Sequence, residues 1–435
     1  MESSLGTSAA RSRLDALIDW ERRDRAAGMR VDTAPVRDLL ERLGSPQTGF
    51  DPIHLAGSKG KGSVAAWIDL GLRRAGLRTG RYGSPHLEAL EERACLDGRP
   101  CEPQVLDRSL EATLAALEAA RAERTPGCDA TWFDVLTASA FDLFARSGAQ
   151  RQVVECGLGG RLDSTNVLRA PVVVLTTIEL EHTAVLGSTR EAIAREKAGV
   201  VWPGASVVVG LPEPGTGDPA ADAVEVRVRE VGARARYLPP LAGDGIAERN
   251  RRLAAAALQA AGERGQAGAD GRPLGADLLD GVDPAEAQLP GRLERLEVPD
   301  RAGAPVQVVL DGAHTVDSVA LVRAALEGDG DPPAVLIVAL GRDKDPSRVL
   351  KPLLGWVDNL RCTATDPARH HPPEALSVAA TALGFAAEAS PSPEAALESV
   401  LGSARPGRIL ILGSLLLVGR LRSACLRRST TGPRC

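Results

Sequence analysis

Short apolar, β-branched runs alternate along this chain with longer segments whose apolar residues recur at helical spacing. The runs predict strands at Ile53–Ala56, Arg78–Tyr82, Gln152–Glu155, Val172–Thr176, Ser206–Gly210, Val306–Asp311, Ala334–Leu340 and Arg408–Gly413. The longer segments predict helices at Val64–Ala75, Pro103–Arg121, Trp132–Arg146, Arg190–Ala198, Ala247–Ala261, Val316–Glu327 and Pro393–Ser403. Strands and helices in alternation favour parallel sheets covered by helices on both faces, an α/β class. Ser188, with Glu191 three residues later, reads as a capping box at one helix start. No repeat of ~20–50 residues is apparent.

Two stretches rich in Gly, Pro and Asp interrupt the pattern, at 212–224 and 263–290. The first reads as a surface loop. The second leads into a fresh strand–helix series, which puts a domain junction near 290. The expected division is a domain over 1–290, a second over 291–421, and a basic, disordered tail over 422–435.

Composition narrows the class. The chain has 435 residues, 44% of them hydrophobic and only 3% aromatic, so Leu, Val and Ala must fill the core. A net charge of −5 gives no support for a nucleic-acid or membrane-surface partner, which attract basic patches. The seven cysteines are odd in number and scattered without a CxxC pair, as expected of free thiols in a reducing cytoplasm. The first twenty residues hold no apolar core of the signal-peptide kind. The longest apolar runs fall far short of the ~20 residues that a membrane span needs.

The strongest local chemistry is Ile53-His-Leu-Ala-Gly57-Ser-Lys-Gly60-Lys61-Gly62-Ser63, a strand entering a Gly-rich turn that opens a helix. Glycines let backbone N–H groups close around phosphate oxygens, and the helix N-terminus favours negative charge. Lys61 would reach the β/γ-phosphates and Ser63 could bind Mg²⁺. The match to the standard phosphate loop is imperfect: Leu55 stands where Gly is wanted, and Gly62 separates the Lys from the Ser. The plain alternative is a connecting turn.

This loop resembles the AGTNGKGS loop of the folylpolyglutamate synthase / dihydrofolate synthase family, within the Mur ligase superfamily. Further matches follow in the family's order: Tyr82-Gly-Ser-Pro-His86, Trp132-Phe-Asp-Val-Leu-Thr-Ala-Ser-Ala-Phe141, Glu155-Cys-Gly-Leu-Gly-Gly-Arg-Leu-Asp-Ser-Thr-Asn-Val167, Glu181-His182-Thr, Arg195-Glu-Lys-Ala-Gly199, Pro290-Gly-Arg-Leu-Glu294, Leu310-Asp-Gly-Ala-His314, Lys344-Asp345 and Gly413-Ser-Leu. The resemblance implies a Mur-ligase-type ATP-binding domain followed by a smaller Rossmann-like α/β domain. It also implies an ATP- and Mg²⁺-dependent ligase. ATP would phosphorylate a carboxylate of a folate or dihydropteroate, and the amine of L-glutamate would attack the acyl phosphate. A monomer acting on small molecules in the cytoplasm is what the family implies.

The same resemblance assigns residues. Gly57, Ser58, Lys59, Gly60, Lys61, Gly62 and Ser63 would hold ATP phosphates, with Asn250, Arg292 and Asp311 as further ATP contacts. Ser84 and Glu155 would hold one Mg²⁺ and His182 a second. Lys197 matches a lysine that the family carbamylates to help hold that second ion. His314 would lie near the γ-phosphate, and His86 would face substrate. Taken singly, these residues have plainer readings: Ser84 a turn residue, Glu155 a partner for Arg161, His182 a loop histidine, Lys197 a cation at a helix C-terminus, Arg292 a partner for Glu294, His314 a helix cap. His54 reads as structural, and His370 and His371 as solvated in a Pro-rich loop. The sequence departs from the family at Lys59, Asp134, Glu181, Ile246-Ala247 and Thr315. These departures keep open a Mur-type ligase with another carboxylate acceptor, a P-loop kinase, and an ATP-binding paralogue that has lost catalysis.

Overall fold

The computed structural model describes residues 8–21, 32–241, 243–328, 330–403 and 407–429. The chain divides into two compact units, Met1–Ala287 and Gln288–Cys435.

The first unit is built on an eight-stranded sheet. Its strands are β1 (Ile53–Ala56), β2 (Thr79–Tyr82), β3 (Ala94–Leu96), β4 (Arg99–Pro100), β5 (Arg151–Glu155), β6 (Val172–Leu175), β7 (Ser206–Val209) and β8 (Arg234–Tyr237), in the order β4-β3-β2-β5-β1-β6-β7-β8. Strands β2, β5, β1, β6, β7 and β8 run parallel, and β3 and β4 add an antiparallel edge. Successive side chains in a strand point to opposite faces, and both faces are covered. Ile53, Leu55, Val153, Val172, Val174 and Val208 pack with helices Lys61–Arg74 and Ile246–Glu263. Val173, Leu175, Val207 and Val209 pack on the other face with helices Arg190–Ala198 and Pro219–Glu230. Tyr82 and Val154 share that second face with Pro103–Glu123 and Trp132–Arg146.

Small residues compensate for the scarcity of aromatics by letting elements approach closely. A Cβ on Gly262 would lie 1.8 Å from the Leu274 carbonyl oxygen. Gly262→Ala is therefore expected to destabilise the first unit by about 1–3 kcal/mol, read as a lower denaturant midpoint.

The second unit has strands β9 (Glu294–Pro299), β10 (Pro305–Leu310), β11 (Val335–Val338), β12 (Asn359–Cys362), β13 (Ala386–Ala389) and β14 (Ile409–Leu412), ordered β13-β12-β11-β14-β10-β9. All pairs are parallel except the β9–β10 hairpin. Val309, Leu336, Val338, Leu410 and Leu412 centre its core.

Several expectations change. The loop expected over 212–224 ends early: Asp218 accepts from the Ala220 N–H at 2.9 Å and opens helix Pro219–Glu230, which buries Ala220, Ala221 and Val224. The helix at Arg190 is capped by Thr189, whose hydroxyl accepts from Ala192 N–H at 3.1 Å, rather than by Ser188. The tail expected to fray from 422 is instead helical to Arg428, within helix Leu415–Arg428. Cys425 is fully buried there and Arg422 pairs with Glu294 at 2.9 Å, contacts that order the segment. Residues 430–435 lie outside the described residues. Strands β3, β4, β8, β9, β12 and β13 carry no strong apolar signal because they are short, half-exposed edges or next to edges. On the edge strand β8, exposed Arg234 and Arg236 discourage pairing with another chain. The described cysteines are all free thiols. No helix among the described residues is long and apolar enough to cross a membrane.

Candidate active site

Strand β1 is the central element of the site, because it ends in the glycine-rich loop. Gly57 sits so close to β6 that a Cβ there would fall 2.0 Å from Thr176 Oγ1. Gly60 has φ +83°, and a Cβ there would meet Asn250 Oδ1 at 2.8 Å, so glycine is required on both counts. The loop is pinned from the side. Ser58 N–H donates to the Thr177 carbonyl at 2.7 Å and Lys59 N–H to Thr177 Oγ1 at 2.9 Å. Thr176 Oγ1 donates to the Lys59 carbonyl at 2.7 Å. Thr176 and Thr177 escape sequence reasoning; their only signal is their place at the end of a buried valine run. Helix Lys61–Arg74 then starts with its unpaired N–H groups at the loop, a setting that favours anions.

Charged side chains converge on the Gly57 carbonyl. Lys61 Nζ donates to it at 3.0 Å and Lys197 Nζ at 2.9 Å. Lys61 Nζ also lies 3.6 Å from Glu155 Oε1, and Lys197 Nζ is 3.0 Å from Glu181 Oε1. Lys59 Nζ is 3.8 Å from the other Glu181 oxygen. Burial pushes the Glu181 carboxyl up, but the charges of Lys197, Lys61 and Lys59 outweigh it and hold the group below the usual carboxylate range. Burial and the nearby Lys61 charge pull the Lys197 ammonium down, against the opposing pull of Glu181. The pairings proposed as plainer readings are not the ones formed: Arg161 pairs with Glu196 at 2.9 Å, leaving Glu155 to Lys61.

Glu155 also borders the Gly83-Ser84 turn, since Oε2 lies 3.2 Å from where a Cβ on Gly83 would be. A hydroxyl and a carboxylate are hard oxygen donors and suit Mg²⁺, which keeps several waters and needs few protein groups. His182 follows Glu181 and opens the short helix Thr183–Leu186 with φ +49°. Among the described residues no group of three or more His, Cys, Asp or Glu is gathered to hold an ion. Ser84 and Glu155 are therefore the candidate donors for one ion and His182 for a second. Next to Ser84, His86 Nδ1 accepts from Arg93 Nε at 2.8 Å. Arg93 is itself buried, pairs with Glu21 at 2.5 Å and lies 4.8 Å over the Trp132 ring.

In the second unit, Asp311 directly follows β10 and is buried. Its oxygens accept from the Leu293 and Ala313 N–H groups, each at 2.8 Å, while burial raises its pKa despite Arg292 nearby. Arg292 is exposed, and Glu294 pairs with Arg422 rather than with it. His314 Nδ1 donates to the Gly312 carbonyl at 2.8 Å, and Thr315, not His314, caps the following helix. His370, expected in solvent, is instead buried between Thr365 Oγ1 at 3.1 Å and Ser414 Oγ at 3.0 Å, because it bridges two loops at strand ends. His371 Nε2 donates to the Lys344 carbonyl at 2.8 Å.

Comparison with known proteins adds the following. The Mur ligase, glutamate ligase domain family matches residues 291–415. The chain is 30% identical over 348 residues to the Escherichia coli dihydrofolate synthase/folylpolyglutamate synthase, covering 76% of this chain and 77% of that protein. It is 32% identical over 416 residues to a probable bifunctional folylpolyglutamate synthase/dihydropteroate synthase of Haloferax volcanii, covering 91% of this chain and 48% of that protein. The chain spans about half the length, or less, of several curated relatives it matches. Among solved structures, a bifunctional folylpolyglutamate synthase/dihydrofolate synthase from Yersinia pestis, complexed with AMPPNP and Mn ion, superposes with TM-score 0.75 at 26% identity, covering 96% of this chain and 98% of that one.

Proposed function

The chain belongs to the folylpolyglutamate synthase/dihydrofolate synthase family, and we propose that it is an ATP- and Mg²⁺-dependent ligase adding L-glutamate to a folate. The observation that carries this reading is the convergence of Lys61, Lys197, Glu155 and Glu181 at the phosphate loop, on the C-terminal ends of strands where α/β sheets place ligands.

In this reading the folate carboxylate takes the γ-phosphoryl group of ATP, the glutamate amine attacks the acyl phosphate, and ADP and phosphate leave. Phosphoryl transfer needs in-line positioning and charge neutralisation more than covalent help. Lys61 supplies a fixed cation beside the loop N–H groups. Ser84 and Glu155 would hold Mg²⁺, which neutralises phosphate charge when bound, and His182 would hold a second ion with Lys197 once carbamylation gives that side chain a carboxylate. Asn250 packs against Gly60 of the loop. Arg292, Asp311 and His314 are assigned to ATP by the family match alone. We further assign the protein to the cytoplasm as a monomer, with small molecules and neither nucleic acid nor membrane as partners.

The test offers the purified protein ATP, Mg²⁺ and labelled glutamate with tetrahydrofolate, dihydropteroate or a cell-wall precursor in turn. Label is expected in the tetrahydrofolate product, with dihydropteroate as a possible second acceptor. Incorporation with the cell-wall precursor alone would overturn the folate reading and leave the ligase reading standing. Formation of ADP and a phosphorylated acceptor without any need for glutamate would point to a kinase.

A further inference from the structure

Beneath the site lies a buried polar cluster that none of the steps above uses. His54 on β1, Cys156 immediately after β5, and Thr165 and Asp163 from the following loop are all within 3% of full burial. His54 Nε2 is 2.9 Å from Thr165 Oγ1 and 3.1 Å from Cys156 Sγ, and Thr165 Oγ1 lies 3.4 Å from that sulfur. Thr165 Oγ1 donates to Asp163 Oδ1 at 2.5 Å. The other Asp163 oxygen accepts from Leu158 N–H at 2.8 Å. Thr165 is thus the hub of a hydrogen-bond chain that closes the 156–165 loop on itself and ties it to β1. Burial lowers the His54 pKa to about 3, so the ring enters the cluster neutral.

The cluster sits next to the groups that matter. Glu155 and Cys156 are neighbours in the chain and, at a strand end, point to opposite sides. A peg on Cys156 therefore fixes the rotation of the peptide that carries Glu155. His54 stands three residues before Gly57, so the same peg registers the phosphate loop against β5. Cys156 N–H adds a backbone tie to the Leu55 carbonyl at 2.8 Å. A buried hydrogen-bonded network of this kind favours one geometry, because each bond broken in a low-dielectric interior is expensive.

We propose that Thr165, held by His54, Cys156 and Asp163, is a positioning residue that sets where Glu155 presents its carboxylate to the divalent ion. The proposal rests on the reading of Glu155 as a Mg²⁺ ligand. Groups that orient metal ligands from behind typically change affinity by about 10–100-fold when removed.

The probe is Mn²⁺ in the presence of a non-hydrolysable ATP analogue, titrated on the full chain and followed by electron paramagnetic resonance. Thr165→Val keeps the shape and removes the hydroxyl. Its Mn²⁺ half-saturation is expected to rise about tenfold at a temperature well below its Tm, and Thr165→Ser is expected to restore it. Cys156→Ala should shift it in the same direction and decides the matter if Thr165→Val fails to fold. A lowered Tm with unchanged Mn²⁺ titration in the variants makes the cluster a stability element only and overturns the proposal. A wild-type protein that takes up neither Mn²⁺ nor the nucleotide overturns the proposed function as well.

Discussion

Lys61→Ala is expected to lower glutamate-dependent ATP turnover by about 10²–10³-fold while leaving the fold in place. The magnitude follows from position. Lys61 is the first residue of the helix that the loop opens, and its ammonium is held 3.0 Å from the Gly57 carbonyl and 3.6 Å from Glu155. A cation fixed there neutralises charge that develops on transferring phosphate, without reorganising at the moment of reaction. The fold should tolerate the change, because alanine is a strong helix former and the loop is pinned by backbone and threonine bonds that do not involve this side chain. The measurement is steady-state phosphate release with and without glutamate, beside a thermal melt. Near wild-type turnover would remove Lys61 from the mechanism. A collapse of the melt would make the loop lysine a structural residue instead.

Glu155→Gln is expected to raise the Mg²⁺ concentration for half-maximal activity by more than about tenfold, a loss of over about 1.4 kcal/mol in ion binding. The amide keeps the size and most of the packing and loses the charge. Lys61 loses a partner in the variant, yet its ammonium retains the Gly57 carbonyl, so a drop in Tm should be modest. A Mg²⁺ titration of activity, read against the melting temperature, separates the two roles. An unchanged titration with a large loss of stability would show that the carboxylate serves the Lys61 ion pair alone.

Much of the site was legible before the structure because its chemistry is local in the chain. A strand, a run of glycines and a helix start are contiguous from Ile53 to Ser63, and the turn at Gly57 and Gly60 tolerates no side chain. The long stretch Glu155–Val167 was legible for the same reason, since Asp163 folds that loop by bonding to groups two to five residues away. What stayed hidden involves partners distant in sequence. Thr176 and Thr177 hold a loop that begins more than a hundred residues earlier, and nothing about a threonine pair after a valine run announces that. Likewise, Glu181 was visible only as a departure from the family, and its place between Lys197 and Lys59 emerges from folding.

The sequence alone determined the α/β class, the central strands and the family. Buried parallel strands need near-continuous β-branched runs, and phosphate loops need glycine at positions where only glycine fits. Tertiary structure alone decided which charges pair, which histidines are buried, and where edge elements form. Ion pairs among Lys59, Lys61, Lys197, Glu155 and Glu181 depend on β1 lying between β5 and β6, a neighbour relation not written in local order. His370 is buried because the loop after β12 meets Ser414 at the end of β14, although its own surroundings in the chain are proline and charge. The helix to Arg428 follows the same rule: its basic sequence resembles a solvated tail, and contacts distant in the chain order it, among them Glu294 with Arg422 and the burial of Leu421 and Cys425.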